Sequence, residues 1–275
     1  AVDSKQFNST QASVEIKNLL GIATSSSKDN RAALISEGTV LRRTQGAYDA
    51  RGFYNIIRFG TTDQLNFQSN SAAIKETSAV LRDTNAWYHI VVAVDTTSGT
   101  AADRVIIYIN GSRQSLATDN SVSQNTDYAF NTTNAHTIGV YANGSSYNFD
   151  GYMADIHHID GQSLDASSFG KTNASTGQWL PKEYVGGSYG TCGFHLKFAD
   201  RSGTSATTLG KDSSGQGNNW TPNNFVTGDA VKDSPTNNFC TLNKLNSEGV
   251  TLSEGNLKAV VSNATGSRSS IATMG

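Results

Sequence analysis

Apolar residues crowd most densely into the segment from Trp87 to Gly111, WYHIVVAVDTTSGTAADRVIIYING. Its first run, 87–95, is nearly all β-branched or aromatic, and its second, 104–110, ends in Asn110-Gly111. An Asn-Gly pair after an apolar run is a strong hairpin signal, because both central residues of a type I′ turn need positive φ. The pattern predicts a hairpin with its tip at Asn110-Gly111, joining strand 105–110 to strand 113–116, at the centre of a β protein.

From Leu34 onward similar runs recur at short intervals, separated by Gly, Asn, Asp and Ser. They predict strands at 39–44, 52–59, 64–68, 73–81, 88–94, 105–110, 113–116, 137–141, 152–159 and 193–198. No long segment carries the 3.6-residue period of a helix, and 165–169 is the best place for one helical turn. This spacing points to an all-β fold, an antiparallel β-sandwich or jelly roll, and not to an α/β fold. Trp87, Ile90, Val92, Val94, Ile107, Ile109, Ile138 and Ile156 are expected in one core between two sheets.

Residues 1–35 are ambiguous. Val14, Ile16, Leu19 and Leu20 begin in alternation and end in a helical step, so the segment reads as an N-terminal arm with one strand or a short helix. The sandwich is expected at 36–170. Past Gly170 the composition turns to Gly, Asn and Ser with widely spaced aromatics, Trp179, Tyr184, Tyr189, Phe194, Phe198, Trp220, Phe225 and Phe239. That pattern reads as an irregular extension, 171–245, wrapped over the sandwich and adding one strand at 193–198. Residues 246–275 read as a linker or the start of a further domain.

Composition narrows the function classes. Hydrophobic residues make up 36% and charged residues 16% of the 275, with 26 Gly and only 3 Pro, which suits a sandwich rich in polar turns. The net charge of −2 leaves no basic stripe to release counterions from nucleic acid, and Arg42-Arg43 reads as an ordinary solvated pair. No run approaches the roughly 20 apolar residues of a membrane helix, so no membrane insertion is expected. Cys192 and Cys240 are too few and too far apart for a disulfide scaffold. Two free thiols are the preferred reading, with a single bridge as the alternative. The chain opens on Ala and stops at Met274-Gly275, which suggests that more protein follows. Of the seven Asn-x-Ser/Thr sequons, Asn110 is better used in its turn.

Three blocks carry a family resemblance. RDTNAWYHIVVAVDTTSGTAADRVIIYING (82–111) is similar to a module of tailed-bacteriophage structural proteins, especially marine and cyanobacterial ones. FDGYMADIHHIDGQSLDASSFG (149–170) resembles the closing strand of that module, with its Asp-Gly turn and Phe-Gly. YGTCGFHLKFADRSG, GKDSSGQGNNWTPNNF and DSPTNNFCTLN (189–203, 210–225, 233–243) resemble a block that often precedes a SPRY-like domain, whose first residues 268–275 resemble. The resemblance spans roughly 39–245 and implies a concanavalin A-like, laminin G-like jelly roll. It also implies a virion protein, assembled in the bacterial host cytoplasm, whose partners are other virion proteins, copies of itself and host-surface glycan. His158 departs from the pattern, which calls for an apolar or aromatic residue there.

Candidate chemistry is sparse. Trp87 and His89 share a strand face. A sugar-stacking Trp beside a polar His is one reading, and a core Trp with a satisfied His is the stronger one. Asp155, His157, His158 and Asp160 cluster on one strand and its turn. Asp155 and His157 face one way and His158 the other, so at most two could share a metal without outside help. Surface polarity, with His158 partly buried, is the preferred reading, and no cofactor is expected. Asp200, Asp212, Asn218 and Asn219 sit in Gly-rich loops and are weak Ca²⁺ candidates, lacking the terminal Glu of an EF-hand loop. Asp150-Gly151 and Asp160-Gly161 read as structural turns. Glycosidases of this fold carry paired acids along one strand face. Neither Glu-x-Asp-x-Glu nor Glu-x-Asp-x-x-Glu occurs, nor does a G-x-S-x-G elbow, a P-loop or an H-E-x-x-H.

The expectation is a non-enzymatic phage virion structural protein, a fibre, tail appendage or capsid-surface component, with lectin-like glycan attachment. A stand-alone carbohydrate-binding module or adhesin is the alternative, and a glycan depolymerase is the weaker one.

Overall fold

The computed structural model describes residues 2–3, 6–9, 18–23, 55–60, 62–69, 72–82, 87–126, 128, 136–141, 146–148, 152–230, 235, 242–253, 258–261 and 269–272. Among them every regular element is a strand or a single 3₁₀ turn. The expected strand 39–44, the Arg42-Arg43 pair, the Asp150-Gly151 turn and Cys240 lie outside the described residues.

Two antiparallel sheets form the sandwich. The larger has seven strands. His89–Val94 runs through its middle, paired with Val105–Ile109 on one side and Asn18–Ala23 on the other. Asn18–Ala23 pairs in turn with Tyr152–Ile159, and Phe194–Leu196 lines the far side of that strand. The smaller sheet runs Leu116–Asp119, Ala72–Val80, Gln64–Ser69, Asn55–Phe59. Strand parity decides what lies between the sheets. Ile90, Val92 and Val94 alternate inward from the central strand and meet Ile57, Phe59, Leu65 and Phe67 from the smaller sheet, with Val105, Ile107, Ile109, Ile138 and Ile156 in the same core. Trp87 is half-buried and stands outside that core, because the strand begins two residues later at His89.

The hairpin tip turns at Asn110 and Gly111, with φ of 48° and 81°. The Asn110 side chain accepts from the His89 backbone N–H at 2.9 Å, which ties the tip to the start of the neighbouring strand. The return arm is shorter than the pattern suggests. It comprises only Ser112–Arg113 before the chain crosses to the smaller sheet as Leu116–Asp119. The crossing is visible in the backbone bonds. Gln114 N–H still donates to Ile107 O, while Ser115 O already accepts from Ser78 N–H. A strand that changes sheets closes one corner of a sandwich.

The segment expected as an arm contributes a strand to the interior of the large sheet. Asn18–Ala23 lies between His89–Val94 and Tyr152–Ile159. Leu19, Leu20 and Ile22 depart from strict alternation, and their spacing imitates a helical step. The extension is likewise sewn in at two points. Phe194–Leu196 joins the large sheet, as expected at 193–198, and Thr221–Asn223 pairs with Gln6–Ser9. The expected helical turn is the 3₁₀ segment Ala166–Ser168, capped by the Asp165 side chain on Ser167 N–H. Beyond residue 246 the described strands form two local pairs, Leu242–Glu248 with Ser269–Ala272 and Thr251–Ser253 with Lys258–Val260.

Between Ile159 and Phe194 the extension covers the outer face of the large sheet. Phe169, Tyr184 and Tyr189 pack there with Val91 and Ile159 as a second core. Trp179 lies across the hairpin tip, so close that a Cβ on Gly111 or on Gly170 would fall 2.4 Å from its ring. The central part of the large sheet, around Val91 and Ile159, is therefore covered on its outer face as well.

Candidate functional site

The outer face of the large sheet carries the densest polar cluster among the described residues. Antiparallel pairing sets His157 directly opposite His195, so the two side chains project on the same face. Their inward neighbours Ile156, Leu196 and Phe194 belong to the inter-sheet core. Asp155 lies two residues before His157, where the pairing with Asn18–Ala23 slips, and its backbone takes φ of 54°. An Asp in the left-handed region at such a bulge re-aims its side chain.

The three groups converge on one oxygen. His195 Nε2 donates to Asp155 Oδ1 at 2.6 Å, and His157 Nε2 stands 3.5 Å from the same atom. The imidazoles stack with centroids 3.7 Å apart. On its other side His157 Nδ1 shares a 2.7 Å hydrogen bond with the Tyr189 hydroxyl. His157 and His195 are almost fully covered, whereas the Asp155 side chain is 41% exposed. Burial works against the charge of Asp155, but the contacts with His157 and His195 outweigh it and hold its carboxyl well below the usual carboxylate range. Burial also pushes the His157 imidazole down to about 4, against the pull of Asp155. The cluster is thus two stacked imidazoles, His157 held toward its neutral form by burial, leaning on a carboxylate that is half-open to solvent.

Asp155 and His157 were expected as surface polarity, and that expectation fails for His157, 1% exposed beneath Tyr189 and Phe169. His158 faces inward, is fully buried and packs against Phe194 at 5.4 Å between centroids. It occupies the apolar position that the family pattern calls for. Asp160 closes the strand, and its carboxylate accepts from Cys192 N–H, with Gly161 at φ of 85° in the turn. The missed residue is His195. It lies 40 positions from Asp155, and only the strand register brings them together.

The Ca²⁺ candidates do not gather into an oxygen cage. Asp212 accepts from His195 N–H, Ser214 N–H and Oγ–H, and Asn218 N–H, which occupies both carboxylate oxygens. Asn219 accepts from Asp212 N–H, and Asn218 donates to the carbonyls of Thr191 and Gly193. Asp200 lies apart and caps its own turn at Ser202. This loop instead pins the strand that carries His195.

His89 sits near the cluster on the same outer face. Trp179 is its hydrogen-bond partner. The indole Nε1–H donates to His89 Nδ1 at 3.0 Å. Burial pushes the His89 imidazole down to about 3, His157 adds to that shift, and Asp155 opposes it. A folded-state pKa below the ordinary 6.5 means that the unfolded chain takes up the proton first. Stability from neutral His89 is therefore present above about pH 6.5 and is lost as pH falls toward 3, at about 1.4 kcal/mol per pH unit. In chelator-treated protein the unfolding midpoint is expected to drop between pH 7 and pH 5, and His89→Gln to flatten that slope by one proton. An unchanged slope in the variant would contradict the assignment.

Two packed antiparallel sheets, joined at a corner where the chain crosses between Arg113 and Leu116, define a lectin-type β-sandwich. The laminin G-like model of the concanavalin A-like lectin/glucanases superfamily matches residues 22–168, and the chain belongs to that superfamily. No curated protein matches the chain. Among solved structures, the native heptameric SAP-like pentraxin from Limulus polyphemus is similar at 14% identity and a TM-score of 0.32, covering 56% of this chain and 68% of that one. No described helix is long and apolar enough to cross a membrane.

Proposed function

We propose that this chain is a non-enzymatic structural component of a tailed-phage virion, a fibre, tail appendage or capsid-surface protein, whose lectin-type sandwich serves assembly contacts and weak attachment to host-surface glycan. The observation that carries this reading is the cover over the large sheet. An enzyme of this superfamily needs a sheet face open to a polysaccharide, with acids projecting into it. Here Phe169, Tyr184 and Tyr189 pack over the middle of the outer face. Three carboxylates on the described strands are engaged: Asp155 with two histidines, Asp119 with buried Lys75, and Glu76 with Asn66. A cleft of about 220 Å³ beside Ala102, Arg113, Gln114 and Asp119 is smaller than the roughly 300–1,000 Å³ typical of ligand pockets. Glycan contact on such a surface is shallow, and useful avidity then requires many copies. The resemblance of 82–111 to phage structural modules supports the virion setting, since that segment is the spine of the large sheet.

The test is mass spectrometry of gradient-purified particles of the phage that encodes the chain. Its peptides are expected at a fixed ratio to the major capsid protein across the particle band. Their absence from intact particles, with the protein found soluble and binding glycan, would favour a stand-alone adhesin.

A further inference from the structure

We propose that Asp155, His157 and His195 bind one divalent transition-metal ion of the zinc class, and that this ion fastens the C-terminal extension to the sandwich. One ligand atom from each residue lies within 4.8 Å of the others. Two imidazoles and one carboxylate suit zinc, and do not suit calcium, which takes six to eight oxygens. The backbone prepares this geometry. Direct pairing of His157 with His195 places the rings side by side, and the bulge at Asp155 turns a carboxylate toward both Nε2 atoms.

Two imidazole nitrogens, each able to serve as a metal ligand, converge on Asp155 Oδ1 at 2.6 and 3.5 Å. That convergence marks the position a cation would take. In a tetrahedral zinc site with bonds near 2.0–2.1 Å, ligand atoms stand about 3.3 Å apart. The 3.5 Å separation of His157 Nε2 from Asp155 Oδ1 already fits. The 2.6 Å contact with His195 must open by roughly 0.7 Å to fit that tetrahedron. Asp155 can swing that far because its side chain is half-exposed, and the same opening leaves the fourth position to water.

The surroundings are those of a metal ligand set. A ligating His commonly offers its second nitrogen to a fixed polar partner, which sets the tautomer and the ring plane. Tyr189 holds His157 in this way, at 2.7 Å from Nδ1. Asp212 fixes the backbone of His195 at 2.8 Å, and thereby the strand that brings His195 to the sheet. His195 comes from the extension, and Asp155 and His157 come from the sandwich strand, so one ion would bridge the two.

The experiment uses the full chain, stripped with EDTA and dialysed, then titrated with Co²⁺ in a spectrophotometer and with Zn²⁺ in a calorimeter. One Co²⁺ per chain, visible d–d absorption without a thiolate charge-transfer band, displacement by Zn²⁺ and a raised unfolding midpoint are expected. Asp155→Asn and His195→Gln should each weaken binding about 100-fold or more, and Tyr189→Phe about 10- to 100-fold with the stoichiometry kept. Asp155→Asn changes a half-exposed side chain, so it serves even if His195→Gln does not fold. No saturable binding at millimolar metal, or binding unchanged in Asp155→Asn, would overturn the proposal and leave a hydrogen-bonded His–Asp pair. A thiolate charge-transfer band would do the same and move the metal to a cysteine, Cys192 or Cys240.

Discussion

Val92→Asp is expected to yield no soluble folded protein. Val92 is fully buried at the middle of the central strand, paired with Leu19 on one side and Ile107 on the other, and it points into the core between the sheets. A carboxylate at that place meets apolar side chains from both sheets. Burying such a group without a partner costs several kcal/mol, a large share of the about 5–15 kcal/mol that holds a domain together. Val92→Ala is the control, since it removes only two methyl groups and should fold with a lower midpoint. The readouts are the soluble fraction on expression and the far-ultraviolet circular dichroism. A soluble Val92→Asp protein with a native spectrum would mean that His89–Val94 does not run between two sheets.

Gly193→Ala should be the most damaging single methyl addition near the site. A Cβ there would fall 1.9 Å from the Tyr189 carbonyl oxygen and 2.8 Å from that of His158. Both are backbone atoms, which cannot swing aside as a side chain can. The Tyr189 carbonyl also accepts from Asp160 N–H at 2.8 Å, so relief of the clash breaks the bond that joins the extension to the end of the Tyr152–Ile159 strand. Overpacking of this kind costs about 1–3 kcal/mol and sometimes more. A loss of about 3 kcal/mol is expected here because the obstacle is backbone. The damage should be local, with protease cleavage appearing between 170 and 193 before the sandwich unfolds. An unchanged midpoint together with unchanged protease resistance would contradict this view of the turn.

The hairpin and the core were legible because they rest on local chemistry. Asn110-Gly111 announces its turn through positive φ, and Ile90, Val92 and Val94 alternate against Ile107 and Ile109. The return arm came out too long because the sequence does not mark where a strand leaves one sheet for the other, and Ser112–Arg113 and Leu116–Asp119 look continuous. The strand Asn18–Ala23 was obscured because Leu19, Leu20 and Ile22 do not alternate, and such spacing reads as readily as a helical step. The candidate site was half-legible. Parity alone places Asp155 and His157 on one face and His158 on the other. His195 could be added only by knowing that it pairs with His157, and register between strands 38 residues apart is a property of the folded sheet. Likewise, His89 accepts from Trp179, 90 residues away in sequence. The loop acids misled for a different reason. Asp212 has the composition of a Ca²⁺ ligand, but its oxygens are used up by the N–H groups of its own loop and of His195.

The claim that this chain binds or builds rather than cuts depends on whether a pair of carboxyl groups faces a substrate. Hydrolysis needs two such groups about 5–5.5 Å apart for retention or about 6.5–9.5 Å for inversion. The described sandwich turns its apolar residues into the core and engages three of its strand acids with Lys75, His157, His195 and Asn66. The most direct measurement incubates the purified chain with bacterial surface polysaccharides, and follows new reducing ends over time. The account predicts no release above a heat-treated control. Sustained release, abolished by changing one pair of Asp or Glu residues, would contradict it and make the chain a depolymerase.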